Sequence, residues 1–516
     1  MDDSTRVWGI EGEAPIVHTD CGDVQGLARV GGSFAYLGVP FAAPPTGVHR
    51  FRAPAPHPAW DGVRPATQYG ATAQRKPFGE TTTIPEPSIP GESTLNVNIF
   101  TPAPGDTVAH LPVFVWIHGG GYFAGSPASP WYDGRAFTRD GIVTVTLSYR
   151  LGFDGFGWIG DSDAPVNRGL RDQIAALEWV RRNIEWFGGD PAKVTIGGQS
   201  AGAGSVQALL VSPRARGLFR GAISHSGAIG HPRVEDASTI ARNFAQRMAV
   251  SPTREGWCSL SEGDIVDGER DVMTLDDMFP RLDNPDDVAN VVRSARSGES
   301  SGAASLLWGP VVDGEIFPEP VIDLIRSGVG REIPLLLGNT RNEFAFPSPP
   351  VTDMIESGLL SMGLDEDDLS PWRQEIARIG DQYSFSQFLS SINFRAATVS
   401  LAVTRRQSRA GERTWLFDFA GRSSLDGLSM HCVDIPFAWD ILDAYGVERV
   451  LGPEPSAELA SVVHRDWVDF ITTNTVSWKP ETESKLGGRT YEMNAADDAQ
   501  HPYSFEARVL GVHSST

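Results

Sequence analysis

The chain has 516 residues, 41% of them hydrophobic and 21% charged, which is enough apolar material for a large core and excludes a disordered chain. Its 65 acidic residues against 43 basic ones give a formal net charge of −22, a field that repels phosphate backbones and anionic lipid heads, so neither nucleic acid nor a membrane is an expected partner. Three scattered cysteines (Cys21, Cys258, Cys432) offer no disulfide framework or zinc cluster, no apolar run is long enough to span a bilayer, and no apolar leader opens the chain, so a cytoplasmic location is expected.

The first hundred residues are rich in Pro and Gly, as in Phe41-Ala42-Ala43-Pro44-Pro45-Thr46-Gly47, and predict loops and short strands. From Leu111 the pattern changes to runs that are apolar on both faces: 111–118, 142–148, 194–196, 221–224, 334–337 and 414–419. Such runs belong to a buried, mostly parallel sheet. Between two of them Leu170, Ile174, Leu177 and Ile184 recur at helical spacing, with Gly188-Gly189 as a stop and Pro191 beyond it. Strand, helix and strand in alternation predict a doubly wound α/β fold. Stretches at about 234–309 and 352–410 are charged, helical in propensity and poor in strand signals. They predict helical excursions over one end of the sheet, a lid or pocket wall within a single domain spanning the chain. Leu459, Val462, Val463, Trp467 and Phe470 predict a C-terminal helix packed on the core.

Two glycine-bearing motifs sit at predicted strand ends. In the first, a strand through Ile196 runs into Gly198-Gln199-Ser200-Ala201-Gly202 and then a small-residue helix. The bare Gly-x-Ser-x-Gly pattern recurs by chance, but between a strand and a helix it is a nucleophile elbow, lifting Ser200 to the head of a helix whose dipole favours negative charge. Its glycines are needed where a Cβ would strike neighbouring backbone. The second motif, His118-Gly119-Gly120-Gly121, has a flexible turn as its plain alternative. Its chemical reading is an oxyanion hole formed by the N–H groups of Gly120, Gly121 and Ala201, each such donor typically worth ~3–4 kcal/mol of transition-state stabilisation.

Longer stretches carry a specific resemblance. Gly38–Phe51, Glu92–Pro102, Ser148–Phe153, Phe187–Pro191, Pro310–Gly314, Gly338–Glu343 and His431–Phe437 together resemble the type-B carboxylesterase family over nearly the whole length. The resemblance implies the α/β-hydrolase fold and a serine carboxylesterase acting on small-molecule esters through an acyl-enzyme, with no cofactor and no metal.

The fold's chain order is serine, acid, histidine. Histidines after Ser200 are His225, His231, His431, His464, His501 and His513. The first two come too early for an intervening acid strand, His464 sits on the C-terminal helix, and the last two lie near a polar tail. His431, in a loop after the 414–419 strand, is best placed and matches the family's catalytic histidine. Glu343 lies behind the 334–337 strand, with Asp313 as a rival in a turn-like Val-Val-Asp-Gly setting; the resemblance selects Glu343 as the acid that orients the imidazole. It also places Gln199, Ser226 and Asp434 around this triad and pairs Glu92 with Arg150 as scaffold. Tyr122, Phe123, Phe346, Phe437 and Trp439 are expected to wall the pocket, with ordinary core aromatics as the plain alternative.

The family's usual Glu before the nucleophile is here Gln199, so the imidazolium is expected to be less favoured. No Trp occurs between Trp60 and Trp116, so a cholinesterase is not expected. A binding-only member of the fold would characteristically lack the serine or histidine, and both positions are filled. The same residues would also serve a carbamate, an amide or a natural-product ester, because substrate choice lies in the pocket wall.

Overall fold

Every apolar run from Leu111 onward becomes a strand, because a segment without a polar face is stable only where both faces are covered. The computed structural model describes residues 3–512, apart from 74, 75, 78, 80, 81, 229, 273–278, 298–305, 483–485, 493, 494 and 500; His513 therefore lies outside the described residues. In chain order the strands are β1 (Ile10–Thr19), β2 (Gly22–Arg29), β3 (Ser33–Pro40), β4 (Val63–Pro65), β5 (Asn96–Thr101), β6 (Leu111–Ile117), β7 (Val143–Leu147), β8 (Gly189–Gln199), β9 (Gly221–His225), β10 (Leu335–Thr340), β11 (Thr414–Phe419), β12 (Gly488–Glu492) and β13 (Ala495–Ala499). Among the described residues they form one sheet in the order β1-β2-β3-β5-β7-β6-β8-β9-β10-β11-β12-β13, with β4 beside β2. Pairing from β7 through to β12 is parallel, and the flanks are antiparallel except for short β4, which lies parallel to β2.

Alternation along β6 shows how the sheet is buried. Val113, Val115 and Ile117 point to the face covered by α1 (Arg168–Asn183) and α2 (Ala201–Val211), among Leu170, Leu177, Val206 and Leu209. Phe114 and Trp116 point to the opposite face, covered by α3 (Ala457–Thr473) through Leu459, Val463, Trp467 and Phe470. The strand is thus apolar at every position because it has two cores to fill. The first hundred residues differ from expectation: β1 has 10 residues and β2 and β3 have 8 each. Only Ala14, Val17 and Thr19 of β1 are buried, so this flanking strand has no continuous apolar run to betray it.

Helices Val234–Arg247, Arg254–Cys258, Glu262–Val272 and Pro285–Ser297 occupy the first charged stretch. Thr352–Ser361, Glu366–Ile379, Ser384–Ser390 and Ala396–Gln407 occupy the second. The two stretches share an apolar cluster in which Val288 and Val292 join Ile355, Leu359, Trp372 and Phe388. No helix among the described residues is long and apolar enough to cross a membrane.

Candidate active site

The strands β6, β8, β10 and β11 point the same way, so the loops at their C-terminal ends collect at one edge of the sheet. That edge is where an α/β sheet builds its site. β8 ends at Gln199 and α2 begins at Ala201, leaving Ser200 as the turn, with φ +59° and ψ −124°. A residue with a Cβ in this region carries on the order of 1–3 kcal/mol of backbone strain, which the surroundings must hold. They do so through two main-chain bonds: Ser200 N–H donates to the His225 carbonyl at 2.9 Å, and its own carbonyl accepts from Gly204 N–H at 2.9 Å. The elbow also requires close contact with β6, since a Cβ on Gly202 would lie 2.0 Å from the Ile117 carbonyl oxygen.

The loop after β6 is braced from behind. Gly120 has φ +111°, and a Cβ there would lie 2.2 Å from the Ala124 carbonyl oxygen. Its carbonyl accepts from the amides of Phe123 (3.1 Å) and Ala124 (2.9 Å). Burial pushes the His118 imidazole down to about 4, so it is neutral, and Nδ1–H donates to the Gly119 carbonyl at 2.8 Å. The Tyr149 hydroxyl donates to the His118 carbonyl at 2.9 Å, and the two rings stack with centroids 4.6 Å apart. The amides of Gly120, Gly121 and Ala201, by contrast, find no acceptor among the described residues. Free N–H groups beside a serine at a helix start are what an oxyanion needs.

Acid and base come from adjoining loops. Asn342 and Met430 pair as a single parallel bridge, and His431 N–H donates to the Glu343 carbonyl at 3.1 Å, which holds the two loops in register. The side chains then meet, with His431 Nδ1 2.5 Å from Glu343 Oε2. Glu343 Oε1 accepts from Ser226 Oγ (2.6 Å), Thr340 N–H (3.0 Å) and Asn339 Nδ2 (3.2 Å). Burial alone would raise this carboxyl; the facing His431 and the hydrogen bonds outweigh it and hold it below its ordinary value.

The imidazole is pulled both ways. Burial lowers its proton affinity, while the Glu343 carboxylate raises it, and the net direction is upward. The neighbouring Cys432 thiol is itself pushed up by burial, so it is neutral at pH 7 and the raising charge is that of Glu343. His431 Nε2 reaches the elbow, 2.9 Å from Gln199 Nε2. Ser200 Oγ has no hydrogen-bond partner among the described residues.

Residues 13–358 match the model of the carboxylesterase family. The chain belongs to that family. It is similar to the para-nitrobenzyl esterase of Bacillus subtilis (strain 168), at 31% identity over 91% of both chains. It is also similar to the phenmedipham hydrolase of Pseudarthrobacter oxydans, at 32% identity over 89% of this chain and 90% of that one. Among solved structures, a PNB esterase superposes with a TM-score of 0.76 at 29% identity, covering 96% of this chain and 99% of that one. A carboxylesterase of Geobacillus stearothermophilus gives 0.73 at 28% identity, covering 96% and 100%. The sheet is accordingly that of an α/β hydrolase, and this carboxylesterase is a carboxylic ester hydrolase.

The remaining site residues are not all in their expected places. Ser226 touches Glu343 directly, whereas Asp434 contacts the Nε2 of buried His225 and stands one residue further back. Phe437 and Trp439 do not wall a pocket: at 1% and 0% exposed they fill the aromatic core with Phe419, Trp116 and Phe137, because the turn after His431 folds down onto α3. Tyr122 is also buried, its hydroxyl end against Gly204 and its ring against Phe156. Phe123 lines a cavity of about 250 Å³ together with Leu151, Phe153, Ile265 and Glu269. Phe346 belongs to a chain of rings running from His431 through Phe394 (5.1 Å), Phe344 (5.1 Å) and Phe279 (5.2 Å) to Phe346 (5.6 Å).

Phe394 and Phe344 were not legible from sequence. Phe394 sits in a π-helical turn (Ser391–Arg395), and that departure from helical register carries no composition signal. His225 and Tyr149 were likewise missed as supports of Ser200 and the amide loop, although Tyr149 lies within a stretch that carries the resemblance. The Glu92–Arg150 pair is absent: Glu92 is exposed, and Arg150 instead forks onto Asp172 of α1 through Nε (2.8 Å) and Nη2 (2.6 Å). Asp172 wins because α1 delivers it fully buried to the same place. Asp313, the rival acid, is occupied by a turn, accepting from the amides of Glu315 and Phe317 at 2.9 Å each.

Proposed function

We propose that the chain, as a single hydrolase domain, cleaves carboxylic esters through an acyl-enzyme on Ser200. Ser200 Oγ attacks the ester carbonyl carbon while its proton passes to His431 Nε2, and the carbonyl electron pair moves to the oxygen held by the amides of Gly120, Gly121 and Ala201. Collapse breaks the bond to the alcohol oxygen, which takes the proton from Nε2. Water repeats the sequence to release the acid. Glu343 keeps the proton on Nδ1, so Nε2 is free to act as base, and its charge stabilises the imidazolium between the two proton transfers.

The observation that carries this reading is the imidazole: 2.5 Å from a buried carboxylate at Nδ1 and in contact through Nε2 with the residue before Ser200. The apolar rings leading from His431 to Phe346 supply a half-buried apolar wall suited to an acyl or aryl group. The relatives named for para-nitrobenzyl esters support an uncharged ester of this kind.

Incubation with a fluorophosphonate and intact-mass measurement is expected to show one adduct, located at Ser200 by peptide mapping. Ser200→Ala is expected to lose the adduct and about a millionfold in kcat. A folded wild-type protein that takes no adduct would sink the proposal. A panel of para-nitrophenyl esters of rising chain length, beside a carbamate and an anilide, identifies the preferred acyl group and bond.

A further inference from the structure

Gln199 contacts the reacting imidazole, yet the steps above give it nothing to do. It is the last residue of β8 and is 1% exposed. Its side chain lies between the imidazole and the amide loop: Oε1 is 3.0 Å from where a Cβ on Gly119 would sit, and Nε2 is 2.9 Å from His431 Nε2. With Nδ1–H donating to Glu343, the neutral ring has a single in-plane lone pair left, on Nε2. An amide nitrogen is only a donor, so in this arrangement Gln199 fills that lone pair. The Ser200 hydroxyl needs the same lone pair and has no partner among the described residues.

The groups that face the ring leave room for such a control. Glu343 meets Nδ1, the Phe394 ring lies against one side, and the protonated Cys432 thiol adjoins it in the chain. The His225–Asp434 contact stands behind Glu343 and Cys432. Glu343 therefore supplies the charge at the ring and favours the imidazolium, which cannot act as a base. A donor on Nε2 opposes it, because a protonated Nε2 would face another N–H.

We propose that Gln199 is a positioning residue whose amide N–H caps the Nε2 lone pair of His431, keeping the base neutral and unoccupied by the Ser200 hydroxyl until acyl transfer begins. This rests on the triad reading above. Two consequences follow from the one hydrogen bond. Without it the imidazole gains proton affinity, so the acidic limb of the pH profile moves up. Without it Ser200 also no longer competes for the lone pair, so the rate on the neutral-pH plateau rises.

The test is the second-order rate of Ser200 phosphonylation by a fluorophosphonate from pH 5 to 9, a reaction that needs the same base but no product release. Gln199→Met, similar in length but without the donor, is expected to raise the plateau about fivefold, the factor an ordinary hydrogen bond supplies, and to move the acidic limb up by about half a unit. Gln199→Glu, nearly isosteric, is expected to move the limb up by about one unit or more, since a carboxylate faces the imidazolium directly. A plateau that stays level or falls in Gln199→Met, or a limb that stays put in both variants, overturns the proposal. A merely structural role would change the rate at all pH values without moving the limb. Should Gln199→Met not fold, the limb of Gln199→Glu decides alone. Wild-type protein that is never labelled would fail the triad itself, which is a different result from labelled wild type with unresponsive variants.

Discussion

The residues of the proposed triad, Ser200, His431 and Glu343, owe their chemistry to their setting. None is unusual in isolation; a strained turn holds the serine, while a 2.5 Å contact and three further donors on one carboxylate join His431 to Glu343. Because Glu343 is charged and fixes the proton on Nδ1, Glu343→Gln exchanges an acceptor for an amide that can donate to Nδ1 and stabilise the wrong tautomer. The expected result is a fall of about 10⁴ in kcat, together with an acidic limb displaced to lower pH, because the raising charge is gone. Steady-state rates from pH 5 to 9 check both. The motif around Ser200 made this much legible: glycines flanking a serine at a strand end are required by contact, and contact requirements are local. The partner of Arg150 was not legible, because a surface loop and a helix both present acids at plausible sequence distances.

At the level of elements, α1 does more than cover the sheet. It presents Asp172 to Arg150, and the main-chain N–H of Arg150 also donates to that carboxylate at 3.0 Å, so one helix turn pins the segment leading from β7 towards the amide loop. That segment in turn donates Gly152 N–H to the Tyr122 carbonyl at 2.7 Å, one residue beyond Gly121. Asp172→Ala leaves a buried guanidinium unpaired and is expected to cost about 3–5 kcal/mol, read as a lowered urea midpoint. Glu92→Ala, at the exposed position, is expected to stay within about 0.5 kcal/mol of wild type. Equal losses for the two would restore the pairing that sequence resemblance suggested.

Across the molecule, the first helical excursion brings a carboxyl to the core that neither element could hold alone. Glu269, on helix Glu262–Val272, accepts from Phe153 N–H and lies against Gly152 in the cavity beside Phe123. Burial, with Asp154 adding to it against Arg270 and the Phe153 amide, pushes its carboxyl up to about 8. The native state therefore keeps this proton over a range in which the unfolded chain has lost it. The stabilising contribution is complete below the ordinary carboxyl range and is lost as pH rises through 8. Glu269→Gln, which cannot ionise, is expected to match wild type near pH 5 and to exceed it by a few kcal/mol at pH 9. Denaturant midpoints at the two pH values check this, and a gap that does not widen with pH would show the carboxyl to be solvated.

Sequence by itself determined the parallel strands from β6 to β11, α1, the elbow and the amide loop, but not β12, which pairs parallel with β11 without an apolar run of its own. Each of those it determined is dictated by interactions among near neighbours: a strand with two buried faces must be apolar throughout, and a backbone that approaches another backbone must carry glycine. Tertiary structure alone decided which ring stands against His431, which carboxylate holds Arg150, and that Phe437 and Trp439 fill a core rather than a pocket. Those outcomes depend on where separate elements come to rest, and the final placement is set by packing between residues far apart in the chain, for which no local pattern exists.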